Sequence, residues 1–64
     1  MDAINLNIKA NVNNISLSGI YELLNKYSLQ NDKSDNIIEF KGFKFRIETE
    51  INISINYVIT EIHP

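Results

Sequence analysis

The chain has no cysteine and no tryptophan, one proline, two glycines and a single histidine. Each scarcity removes an option. Without cysteine there is no disulfide to staple the fold, and no positive sign of an oxidising compartment. With only His63, beside the C-terminal Pro64, a zinc site has too few imidazole or thiolate ligands. No stretch approaches the roughly 20 apolar residues that a membrane-spanning helix needs. No basic stretch near the start leads into an apolar run, so no secretory leader is expected and the cytoplasm is the default location. Asn14-Ile15-Ser16 and Asn52-Ile53-Ser54 fit the glycosylation acceptor pattern, which has no consequence there.

Charge of one sign is also scarce. Eight acids oppose six bases, for a net charge of −2, and they are spread along the chain. That is too mild for an acidic mimic of DNA and of the wrong sign for a protein that coats nucleic acid. What the chain does have is isoleucine and asparagine, twelve and ten residues of its 64. Both have A/T-rich codons, which suggests an AT-rich genome such as that of a low-GC bacterium or its phages. At this length residues 1–64 form one domain. A domain this small buries only about 60% of the surface that its unfolded chain exposes, so its stability is marginal. With disulfides and metal set aside, a partner subunit is the remaining support, and a homodimer is expected.

The first segment alternates strictly. Ile4, Leu6, Ile8, Ala10 and Val12 share one side, and Asn5, Asn7, Lys9, Asn11 and Asn13 the other. Period two with a polar reverse face predicts a half-buried strand. The parity breaks at Asn13-Asn14, residues suited to chain reversal. Ser16 or Ser18 then offers an N-cap, and Glu22 stands near the positive end of the helix dipole. Ile20, Leu23, Leu24 and Tyr27 follow at i, i+3, i+4 and i+7, predicting an amphipathic helix from near Ile20 to near Ser28. Gln30 to Asn36 is polar and predicts a loop.

The second half predicts strands. Ile38 and Phe40 have one parity and Phe43, Phe45 and Ile47 the other, which a two-residue turn at Lys41-Gly42 reconciles. That turn sets Phe40 opposite Phe43, Ile38 opposite Phe45 and Glu39 opposite Lys44, aromatics on one face and opposite charges on the other. From Phe43 to Ile59 the apolar residues keep to odd positions. Two arrangements fit: a hairpin with a three-residue loop at Glu48-Thr49-Glu50, or one bent strand from Gly42 to about Ile62. Twenty extended residues would span roughly 65 Å, so the hairpin is preferred. The expected fold is α+β, a two-layer sandwich with one helix packed on a mostly antiparallel four-stranded sheet, in the order β-α-β-β-β.

Few residues suggest chemistry. Lys41-Gly42-Phe43-Lys44-Phe45-Arg46 partly fits the RNA-recognition-motif signature, in which aromatic rings stack on bases. However, Lys44, Arg46 and Glu48 depart from the pattern, and the first strand lacks the aromatic that the partner signature needs. Phe43 and Phe45 also continue the core parity. Lys41, Lys44 and Arg46 remain as a small basic patch beside Lys9 or Lys33, the basis of an alternative function as a nucleic-acid-binding module. Phosphate-dominated binding usually draws on six to ten contacts, and three bases among Glu39 and Glu48 make a weak footprint. No phosphate loop, calcium loop or nucleophile-base pair is present, so neither an enzyme nor a cofactor is expected.

Tyr21 flanks the helix stripe and could anchor a protein partner. Asn52, Ser54 and Asn56 join Asn5, Asn7, Asn11 and Thr60 in an uncharged sheet face, with Val58 interrupting it. Such a face costs less to desolvate than a charged one. Ile51 to Ile59 is strongly β-prone and free of charge, so it must lie centrally or pair with another chain; Glu50 and Glu61 flank it as gatekeepers. The function expected is that of a small non-enzymatic binding protein acting through protein contacts. An accessory or inhibitory protein of a phage or mobile element, including an inhibitor of host defence, fits this description. The partner-binding candidates are Tyr21, Lys41, Lys44, Arg46, Asn52, Ser54 and Asn56.

Overall fold

The computed structural model describes residues 5–30 and 35–63. Ile4 and Lys33 lie outside them. Five elements run in the expected order: β1 Asn5–Asn11, α1 Leu17–Leu29, β2 Ile37–Phe40, β3 Phe43–Ile51 and β4 Ser54–Ile62. The fold is α+β, with one helix on a four-stranded sheet of order β1-β4-β3-β2. The sheet is mixed, because β2–β3 and β3–β4 are antiparallel whereas β1 lies parallel to β4. The molecule measures 42 × 25 × 16 Å, a thickness of two layers.

The β2–β3 hairpin has the expected register, with Phe40 opposite Phe43, Glu39 opposite Lys44 and Ile38 opposite Phe45. Lys41 and Gly42 both take positive φ, 54° and 85°, as a tight two-residue turn requires. The next hairpin departs from expectation. Glu48-Thr49-Glu50 is strand, not loop, and Ile47 faces Ile59 rather than Ile51. The chain reverses later, at Asn52-Ile53, with Ile51 opposite Ile55. Asn52 makes that turn: its Oδ1 accepts from the Ser54 amide at 3.1 Å, and its own N–H donates to the Ser54 carbonyl at 3.0 Å. A side chain that replaces a backbone partner two residues on is what Asn contributes to turns.

The helix starts three residues earlier than its apolar spacing implies. Ser16 is the N-cap, its hydroxyl accepting from the Gly19 amide at 3.3 Å. Gly19 is buried, and a Cβ there would stand 3.3 Å from the Ile15 side chain. The glycine that appears to weaken the first turn thus lets the incoming chain pack against it. Glu22 lies beyond the first turn and pairs instead with Lys41 at 3.7 Å. Ile20, Leu23 and Tyr27 from α1 meet Ile38, Phe45, Ile47 and Ile59 from the sheet in a core of seven buried side chains. The apolar segment Ile51 to Ile59 ends β3, turns at Asn52-Ile53 and from Ser54 runs in β4, a central strand between β1 and β3, so the backbone there is paired within the chain.

One buried group is charged. Glu61 shares the core face of β4 yet is 5% exposed. Its Oε1 accepts from the backbone amides of Asn13 and Asn14 at 2.9 and 3.0 Å, and its Oε2 accepts from the Asn14 side-chain amide. The Asn13 amide, then the Asn14 groups, hold its carboxyl below the ordinary glutamate range against the opposing effect of burial, and His63 at 3.7 Å adds a smaller pull. The carboxylate therefore fastens the β1–α1 connection to the end of β4.

Two predictions follow from this packing. Ile59→Ala, which empties a fully buried site, should cost about 2–5 kcal/mol in urea unfolding. That is a large share of the roughly 3–10 kcal/mol expected for a chain this size. Because the folded pKa of Glu61 is depressed, its contribution is present above the unfolded value of about 4.3 and is lost as pH falls through the folded value. Urea midpoints should thus fall more steeply below pH 4.5 in wild type than in Glu61→Gln, which should also be less stable at pH 7. Parallel curves for the two proteins would remove Glu61 from this role.

Candidate functional site

Helix α1 covers one face of the sheet only. On the other, alternation and register place four rows of side chains: Ile37 and Glu39 from β2, Lys44, Arg46, Glu48 and Glu50 from β3, Ser54, Asn56, Val58, Thr60 and Ile62 from β4, and Asn5, Asn7, Lys9 and Asn11 from β1. No element of the described residues packs over this face.

Its middle is a fixed polar ladder. The Asn7 side-chain amide donates to Asn56 Oδ1 at 3.0 Å, across the parallel β1–β4 pair. Asn56 in turn donates to the Glu50 carbonyl at 3.3 Å and to Ser54 Oγ at 3.2 Å. These bonds fix the Asn7 and Asn56 side-chain amides and the Ser54 hydroxyl across β1 and β4 and tie them to the β3 backbone, occupying the amide N–H groups and leaving acceptor sites on the amide oxygens. Val58 follows on β4, more than a third exposed between Lys9 and Glu48. A shallow hollow beside it is lined by Glu48, Thr49, Glu50 and Asn56.

Of the sequence candidates, Ser54, Asn56, Lys44 and Arg46 share this face. Asn52 does not lie among them; it forms the turn beyond Ile51, with its amide also donating to Glu50 Oε1 at 3.3 Å. Tyr21 is on the exposed side of α1, in the other layer.

Lys41 stands at the β2–β3 turn, where it pairs with Glu22 of the helix and lies 5.3 Å from the Phe40 ring centroid. The three bases are therefore not one patch. Along β3 the open face reads Lys44, Arg46, Glu48, Glu50, two bases and then two acids, and Lys44 stands directly opposite Glu39. Each base has an acid one position away on the same surface. Phe45 is fully buried and Phe43 lies on the helix-covered side, so neither ring is a stacking platform on the open face. Phe43 lines an open hollow with Gly42, Lys44 and Ile62 at the sheet end.

Two residues of these contacts, Asn7 and Glu61, stand outside the partner-binding candidates. Asn7 shares the uncharged face in the sequence but is not among the partner-binding candidates, because only the parallel β1–β4 pairing brings it against Asn56. Glu61 looks like a flanking gatekeeper, although its odd parity among Phe45, Ile47 and Ile59 partners was a usable sign: an acid in an apolar row needs buried donors. Among the described residues no three His, Cys, Asp or Glu side chains cluster as a metal site would require, and no helix is long and apolar enough to cross a membrane. The chain matches no protein-family model, no curated protein and no solved structure.

Proposed function

We propose that this chain is a non-enzymatic binding protein that acts as a homodimer, each copy using the open face of its sheet to occupy a surface of another protein. The observation that carries this is the Asn7–Asn56–Ser54 ladder beside Val58, on a sheet face with no layer over it. Hydrogen-bonding groups held in place lose little entropy on binding, and uncharged ones cost little to desolvate. Flanking bases and acids at opposite ends of β3 give such a surface an orientation, since charge patterns fix register more than they add affinity.

The same face favours a protein over a nucleic acid as the ligand. Lys44 and Arg46 are each offset by a neighbouring acid, where a phosphate backbone calls for an unbroken basic track. Smallness, a surface without reactive groups and A/T-rich residue usage suit an accessory or inhibitory protein of a phage or mobile element, including one directed at a host defence. The cytoplasm is where such a protein would act.

Immobilised protein should retain a defined host protein from lysate of an AT-rich bacterium. Asn56→Arg combined with Val58→Arg, both at non-core positions, should abolish retention while leaving the far-ultraviolet circular dichroism unchanged. Retention indifferent to that pair would exclude the open face. Binding to single- or double-stranded oligonucleotides that falls with salt, and is lost in Lys44→Glu plus Arg46→Glu, would replace this proposal with the nucleic-acid one.

A further inference from the structure

The helix-covered side of the sheet is itself only half covered. A 13-residue helix is about 20 Å long, and α1 lies across the sheet end that holds Phe45, Ile47 and Ile59. The nine-residue strands β3 and β4 run about 30 Å. Toward their turn the same face continues through Thr49, Ile51, Ile55 and Tyr57, with Leu6 and Ile8 alongside on β1 and the exposed Ile53 in the turn that ends it.

The flanks of the helix differ as well. Glu22 and Lys26 point toward the β2–β3 hairpin, Lys26 donating to the Glu39 carbonyl at 2.7 Å and Glu22 pairing with Lys41. Leu17, Tyr21 and Leu24, at i, i+4 and i+7, lie on the opposite flank of the helix, Leu17 and Tyr21 exposed there and Leu24 half-buried. Half-buried Leu24, Ile8 and Tyr57 pack at the edge of the core and join the two surfaces. The result is a step: a helix wall over a sheet floor, both apolar.

We propose that a second copy of this chain fills the step, in a twofold dimer that sets the helix flank of each copy on the bare sheet floor of the other. This rests on the dimeric part of the proposed function and assigns it a surface. Charge is the first support. A twofold axis lays a patch against its own image, so a net charge there would face itself, and Leu6, Leu17, Tyr21, Thr49, Ile51, Ile53 and Ile55 carry none.

Area is the second support. Leu6, Leu17, Tyr21, Ile51 and Ile53 are 53, 66, 55, 71 and 96% exposed. With about 200 Å² for an aromatic side chain and less for leucine or isoleucine, they present on the order of 600 Å², most of the ~800 Å² per partner of a standard stable interface. Shape is the third, because the step contains both a projecting wall and a receiving floor, as a self-complementary contact needs. Among the described residues seven apolar side chains are buried in the core, a small number that gives the chain reason to gain this area.

Sedimentation equilibrium from 1 to 200 µM should show wild type at twice the 7.4 kDa chain mass at the highest concentration, falling toward 7.4 kDa on dilution. Ile51→Lys plus Ile53→Lys, at two positions outside the core, should raise the dissociation constant at least tenfold with the circular dichroism spectrum retained. Asn56→Arg plus Val58→Arg should leave the mass unchanged, which separates loss of the dimer from loss of the open-face partner. Because the chain has no cysteine, cross-linking can also test the arrangement. Mixed Tyr21→Cys and Leu6→Cys proteins should form the hetero-disulfide at least tenfold faster than Tyr21→Cys with Asn11→Cys, whose thiol would lie on the open face. A 7.4 kDa species throughout, a dimer insensitive to the lysine pair, or equal cross-linking rates would each overturn the proposal. A wild-type monomer that still retains a host protein would leave the open-face function standing and point to a foreign apolar helix on the step.

Discussion

The architecture hangs on one buried carboxylate. Glu61, near the end of the last strand, holds the two amides through which the chain turns from β1 into α1. That contact links residues 48 positions apart in sequence, and it fixes where the helix begins: over the end of the sheet next to Glu61. Everything the helix covers and leaves bare follows from that starting point. A neutral side chain of the same size would leave two backbone donors with a weaker partner, and buried donors are costly to leave unsatisfied. The pairing also tethers the first strand beside the last, so that β4 becomes central.

A central β4 resolves a hazard inherent in the composition. The run from Ile51 to Ile59 is apolar, β-prone and uncharged, and as an edge it would recruit other chains. Between β1 and β3 its backbone groups are paired within the chain. The edges fall instead to β2, which has four residues, and to β1, whose outward row carries Lys9. What the topology does not resolve is coverage. Among the described residues one helix serves a four-stranded sheet, so one whole face and the turn end of the other stay open. The two exposed surfaces differ in kind, one polar and rigidly hydrogen-bonded, the other apolar and stepped. A heterologous partner on the first and a second copy on the second suit that difference.

Much of this was legible in the residues because local chemistry decided it. The β2–β3 register followed from parity, the charge pair and a glycine able to take positive φ. The core face of each strand followed from alternation, and the helix from its apolar spacing. Where local cues competed, the expectation failed. Glu48-Thr49-Glu50 looks like a polar loop, but it lies within β3, while the true turn is marked by Asn52, hidden inside an apolar alternation. The candidate basic patch failed for a different reason: Lys41 lies in the β2–β3 turn and pairs with Glu22 of the helix, while Lys44 lies on the open face of β3 opposite Glu39. The parallel pairing of β1 with β4, and with it the Asn7–Asn56 bond, is long-range and leaves no local trace.

Under this proposal the two surfaces have different occupants, a second copy filling the apolar step while the polar face stays free for another protein. A dilution series of amide proton–nitrogen NMR spectra of the purified chain tests it most directly. The resonances of Leu6, Leu17, Tyr21, Ile51, Ile53 and Ile55 should shift together as the dimer dissociates, and those of Asn7, Asn56, Val58 and Thr60 should stay in place. Shifts confined to the polar face, or none at any concentration, would contradict it.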